Sequence, residues 1–266
     1  MKGAVKSFLV LVPGRMELKR NSVSFNYSNM KTYFYQSLIV LSLCSCTADL
    51  SEDVPSNIHE TAGSAAKKSN DLAANPDNPY DYAGKICNDL LDEYHLAPSS
   101  SKTLSDVKLL VDSLAFAKYG FTALLPVNYE VISHSTIENA ISNAEADFLP
   151  DLLAAGYSVQ AQTYLLNIKA ELALLKLADV RYSEVQSYLE EVEADILADS
   201  LMQGEEQALL VTVSILRYSL YNDTRRKRRD RDWEWSTGNL TATSTAAIDN
   251  VPDAIISGIV SKLYKP

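Results

Sequence analysis

The sequence predicts an all-α fold, a single multi-helix bundle or orthogonal helical array of about six or seven helices. Capping residues repeatedly stand before apolar positions spaced three and four apart, and no hairpin signature separates alternating apolar runs. Nine Gly and nine Pro in 266 residues, with 47% hydrophobic content, are a globular composition that excludes collagen-like, disulfide-scaffold and fully disordered chains.

The helical domain is expected over residues 78–266. Asn78-Pro79 opens it as an N-cap followed by proline at the first helical position, and Tyr82, Ile86 and Leu90 beside Ala83, Cys87 and Leu91 form two adjacent stripes. Thr103 with Asp106 caps a second helix bearing Leu104, Val107, Val111 and Leu114, with Gly120 near its end. Leu124 to Ser133 holds Pro126, Asn128 and β-branched residues and reads as an irregular or extended connection, from which alone no sheet can be built. Ser135 and Glu138 make a capping box for a third helix with Ile137, Ile141 and Phe148, which Pro150 breaks or restarts before Gly156.

From Ser158, the positions Ala161, Leu165, Ile168, Leu172 and Leu175 alternate spacings of four and three, and from Ser183 so do Val185, Leu189, Val192 and Ile196. Lys169, Glu171, Lys176, Glu190, Glu191 and Glu193 read as solvated outer charges. Ala208 to Leu216 is apolar nearly all round between Glu205-Glu206 and Arg217, which predicts a central buried helix. Gly238 to Asp249 is rich in Thr and Ala, small residues that allow close packing, and Asn250-Val251-Pro252 starts a last helix with Ile255, Ile256, Ile259, Val260 and Leu263.

Residues Lys31 to Ser45 place one cation before a short apolar run and close on small residues before Cys46, the anatomy of a signal peptide. The run is shorter than the roughly 20 residues of a bilayer span. Leu43-Cys44-Ser45-Cys46 resembles the lipobox of bacterial lipoproteins, which implies lipidation of Cys46 and a membrane anchor. Residues 1–45 are then leader and signal, with Met30 as the expected start, and residues 46–77, rich in Ser, Asn, Ala, Asp, Glu and Pro, are a flexible tether. Removing the six bases and one acid of residues 1–45 leaves 18 bases and 33 acids, a net charge of about −15. Thr47 to Asp53 is similar to the acidic stretch that sends Bacteroidota lipoproteins to the cell surface. The expected address is the outer membrane or cell surface of a Gram-negative bacterium, with a periplasm-facing anchor as the alternative. Once Cys46 is acylated, Cys87 has no intramolecular partner in the folded part, and its place on an apolar stripe predicts a buried small hydrophobe.

The chain has no G-x-G-x-x-G, Walker lysine loop, H-E-x-x-H, paired C-x-x-C or G-x-S-x-G, so no cofactor or metal is expected. Asp92 and His95 stand three apart, an echo of half a di-metal site that lacks a second copy. Glu190, Glu191, Glu193 and Asp195 point in different directions along one helix and read as a solvated acidic face. The sharpest anomaly is Arg225, Arg226, Lys227, Arg228, Arg229 and Arg231, interleaved with Asp230 and Asp232 and followed by Trp233 and Trp235, a local +4 in an acidic chain. Its candidate roles are a surface for an anionic glycan, lipid headgroup or acidic protein, or internal pairing with the acidic helices. The tryptophans favour an interface but can equally close a core. Nucleic-acid binding conflicts with the overall charge and lacks a recognition fold.

Asn78-Pro79-Tyr80-Asp81, Arg217-Tyr218-Ser219-Leu220-Tyr221 and Arg229-Asp230-Arg231-Asp232-Trp233, with their flanking residues, resemble an N-P-Y/F-D start, an R-Y-S-x-Y helix and a K/R-D-x-D-W turn. These are shared by a group of Bacteroidota lipoprotein-like proteins to which no activity is assigned. The resemblance covers most of residues 78–240 and implies the envelope address and a single domain. The function expected is therefore a lipid-anchored, non-enzymatic binding module that uses Arg225 to Trp235. The alternatives are an enzyme with a cleft around His95, His134 or clustered acids, and a membrane-active effector using the last helix.

Overall fold

Ten helices follow one another among the residues that the computed structural model describes, 72–97, 103–146 and 148–264. In chain order they are α1 (Asp81–Leu96), α2 (Leu104–Ala117), α3 (Tyr119–Thr122), α4 (His134–Ala146), α5 (Phe148–Ala154), α6 (Val159–Leu177), α7 (Tyr182–Ala198), α8 (Gln203–Lys227), α9 (Thr237–Asp249) and α10 (Val251–Leu263). The described residues contain no strand and lie in one unit, Thr61–Pro266. Ten exceeds the expected six or seven because α3 is a separate short turn of helix, the break before Pro150 splits off α5, and the Thr- and Ala-rich tract forms a helix of its own, α9. Residues 1–71, with Cys46 and most of the expected tether, lie outside the described residues.

The apolar run from Ala208 to Leu216 is the middle of α8, and every residue from Ala208 to Thr224 is buried. Each fully buried Leu, Ile or Val side chain contributes roughly 1.5–3 kcal/mol relative to exposure. Helices α1, α6, α7, α9 and α10 pack around α8. Glu205 and Glu206 in its first turn and Arg225, Arg226 and Lys227 in its last oppose the helix dipole.

Several expected helix starts shift by a residue or two. Asn78 is not the cap of α1: its Oδ1 accepts from the Tyr80 N–H at 2.8 Å in an Asx turn, and helix begins at Asp81. Ser133, not Ser135, caps α4, its Oγ accepting from the Thr136 N–H at 3.1 Å. Thr103, Ser158 and Asn250 cap α2, α6 and α10 as their sequence context predicts. Gly156, at φ 86, closes α5 with the Tyr157 N–H on the Leu152 carbonyl at 3.2 Å.

The Thr- and Ala-rich tract becomes α9, buried from Gly238 to Ser244 between α8, α10, α4 and α5. In α10 every residue from Val251 to Ser261 is buried, so the terminal helix is core and presents no free apolar face along those residues. No helix among the described residues is long and apolar enough to cross a membrane.

The folded body begins earlier than residue 78. Ala73 is fully buried, and Asn75 reaches the carboxylate of Glu193 on α7 with its Nδ2 at 2.6 Å. Glu193 itself corrects the expectation of a solvated acidic face: it lies on the buried side of α7 with Val185, Leu189, Val192 and Ile196, opposite Arg217 of α8. Cys87 is fully buried, and burial pushes its thiol up to about 12.

Candidate functional site

The basic run divides at the end of α8. Arg228 takes a left-handed conformation, φ 57 and ψ 28, which ends the helix and turns the chain back. The turn is pinned where α6 joins α7: the Tyr182 N–H donates to the Asp230 carbonyl at 2.8 Å, and Arg231 pairs with Asp179 at 3.0 Å. Trp233 is fully buried, its indole N–H donating to the Val180 carbonyl at 3.0 Å, while Lys176 Nζ sits 4.8 Å from the ring centroid and donates to the Trp233 carbonyl at 2.6 Å. Trp233 thus closes the core and offers no contact surface.

The other members separate by partner. Arg225 donates to Asp92, which Asn222 also holds at 2.9 Å. Arg229 lies 4.0 Å from Asp232 and stays exposed, and Arg228 has no ion-pair partner among the described residues. Arg226, Lys227 and Trp235 instead meet His95 of α1 at a cavity of about 580 Å³, which Lys262 and Tyr264 also line from the end of α10. Asn239 of α9 shapes its floor by donating to the Gly258 carbonyl at 2.7 Å and the Ser261 hydroxyl at 3.0 Å.

The electrostatics of this cavity are uneven. Lys227 pairs with Glu234 at 2.5 Å, and Lys262 pairs with Asp223 at 2.7 Å. Arg226 has no carboxylate partner among the described residues, and its Nη1 lies 2.6 Å from His95 Nε2. Partial burial, reinforced by the Arg226 charge, lowers His95 to about 4, so at neutral pH the imidazole is uncharged and Nε2 accepts from the guanidinium. That ring is a weaker base than an ordinary histidine, and its hydrogen-bond partner is an arginine rather than a nucleophile. Asp92 is engaged by Arg225 and Asn222, and no group of three His, Cys, Asp or Glu among the described residues could hold a metal. His134 is exposed at the start of α4, 3.6 Å from Glu138, and lines neither this cavity nor the one beside α9.

Sequence reasoning missed Asn239, Lys262 and Tyr264. Each belongs to an element with a purely structural signature, and only the packing of α9 and α10 against the end of α8 brings them to Arg226.

A second polar cluster is internal. Asp81 accepts from Arg217 and, at 2.9 Å, from the Tyr218 hydroxyl; Arg217 also reaches Glu193 at 3.2 Å. Asn78 Nδ2 donates to Glu193 at 2.7 Å and to the Leu210 carbonyl at 3.1 Å. Burial pushes the Glu193 carboxyl above its usual range, against the pull of Arg217 and the two amides. Burial also works against the Arg217 charge, but Glu193 and Asp81 more than offset it and hold the guanidinium protonated. The Asn78-to-Asp81 and Arg217-to-Tyr218 motifs are therefore two halves of one tie between α1, α7 and α8. No family model, curated protein or solved structure matches the chain.

Proposed function

We propose that the protein is a lipid-anchored bacterial cell-envelope protein, of the lipoprotein-like group its motifs resemble, acting as a non-enzymatic module that binds an anionic group at the end of α8. The observation that carries the binding reading is the convergence of Arg226, Lys227 and Trp235 on one cavity, where Arg226 has no carboxylate partner among the described residues. A guanidinium in that position favours a carboxylate, sulfate or phosphate, and the adjoining indole and phenol offer flat apolar surface to the rest of the ligand. The anchor rests on Lys31 to Cys46 and the acidic stretch after it. An enzymatic role is disfavoured by the low basicity of His95 and its bond to Arg226.

Two measurements test this. Palmitate labelling of the full chain in a Bacteroidota host is expected to label the wild type and not Cys46→Ala, with protease shaving of whole cells reporting surface display. Calorimetric titration with a uronate oligosaccharide and with phosphatidylglycerol vesicles is expected to show that Arg226→Ala binds about tenfold or more weakly, while Arg231→Ala, removing a base already paired with Asp179, binds normally. Equal affinities of wild type and Arg226→Ala for both probes would remove the site.

A further inference from the structure

A second cavity, of about 320 Å³, lies where α4 and α5 meet α9 and α10, and it shares no lining residue with the cavity at the end of α8. Its size is at the lower end of small-molecule sites. Its wall is mostly apolar, with five alanines, among them Ala140, Ala242 and Ala246, beside Ile137. The Thr- and Ala-rich sequence of α9 leaves this space, since each alanine withdraws side-chain volume that a leucine would fill. The charged residues of the wall are Asp151 and Asp249; no Lys, Arg or His lines it.

Two polar atoms of this wall are unsatisfied. Ser257 is fully buried on α10 and its Oγ has no hydrogen-bond partner. Asp151 Oδ2 is buried and likewise unpartnered, while Oδ1 accepts only a long 3.4 Å bond from Asn143 Nδ2. They are two of the six such side-chain atoms among the described residues. Buried oxygens are nearly always paired, so two on one cavity mark a place where a polar partner is expected, and the carboxylate oxygen of the two requires a donor. A bound water satisfies one or two such atoms, but the space is about ten times the roughly 30 Å³ a water occupies, room for a larger molecule.

We infer that this cavity binds a small organic ammonium, its N–H groups donating to Asp151 Oδ2 and Ser257 Oγ and its apolar body lying against the alanines of α4 and α9. The carboxylates of Asp151 and Asp249 select the cation over a neutral or anionic isostere. The inference does not rest on the anionic site at α8.

Titration calorimetry of the full chain at physiological salt with 2-phenylethylammonium, 2-phenylethanol and 3-phenylpropanoate tests it. The expected result is saturable one-to-one binding of the ammonium, at least about tenfold tighter than either isostere, and a loss of about tenfold or more in Asp151→Asn. Ala246→Phe, which fills the space, abolishes binding; Asp151→Asn keeps the volume and carries the test if that variant does not fold. Glu191→Gln on the exposed face of α7 and Arg226→Ala bind as wild type. Absence of saturation by the ammonium, equal binding of the alcohol, or undiminished affinity in Asp151→Asn overturns the inference and leaves the two oxygens to ordered water.

Discussion

At the scale of single residues, burial and the neighbouring Arg226 charge together set the charge state of His95. An unfolded histidine titrates near 6.5, whereas His95 in the folded protein does so at about 4. Between those values the unfolded chain takes up more protons, so stability rises with pH through that window, and acidification from 6.5 toward 4 destabilises the fold. Proton NMR of the His95 ring is expected to give the low value in wild type and a value nearer the ordinary one in Arg226→Ala, which removes one of the two largest causes. An unchanged titration in the variant would mean that burial alone sets it. The sequence marked Arg226 as unusual through local charge, but its pairing with a residue 131 positions earlier has no local signature. Trp233 and Trp235 make the same point: two residues apart in one motif, one is sealed in the core and the other lines the cavity, because the turn after Arg228 commits only Trp233 to the α6–α7 junction.

At the scale of elements, close approach decides which helices can be neighbours. Gly84 lets α1 lie directly on α8, where its N–H donates to Ser214 Oγ at 3.1 Å. A Cβ at that position would collide with the Ser214 carbonyl and the Tyr218 ring. Gly84→Ala is expected to cost about 1–3 kcal/mol by urea denaturation. Gly204→Ala, exposed in the first turn of α8 with nothing within 4 Å of a new Cβ, should instead gain about 0.5–1 kcal/mol. The helices with a one-sided apolar pattern, α2 and α7, were legible because periodicity reports a face turned to the core. The burial of α9 was less so: Thr241, Thr243 and Ser244 are buried polar residues that bond carbonyls of their own helix, and sequence alone does not separate that from a solvated helix.

For the whole molecule, the tie of Asn75, Asn78 and Asp81 to Glu193 and Arg217 moves the start of the folded body upstream of the expected boundary. A chain beginning at Asn78 loses Ala73 from the core and leaves Glu193 without the Asn75 amide. It is expected to unfold with about 1–3 kcal/mol less stability than one beginning at Thr61, measured by urea denaturation; equal stability would place the boundary at residue 78 after all. Composition predicted a tether up to Asp77 because the segment has few large apolar residues, and composition is blind to a carboxylate 118 residues away that needs an amide. The all-α class followed from capping and spacing, both local, whereas the cavities are made by three or more elements at once.

The burial of Trp233 under Lys176 has an optical consequence. The chain contains only two tryptophans, and their surroundings differ: Trp233 is sealed from solvent with its indole N–H bonded to a carbonyl, while Trp235 borders the cavity at the end of α8. Light emitted by the first reports whether the core is closed, and light emitted by the second changes when something enters the cavity. Replacing either with phenylalanine leaves a single-wavelength monitor of the other, so unfolding and ligand entry can be followed separately without any added dye.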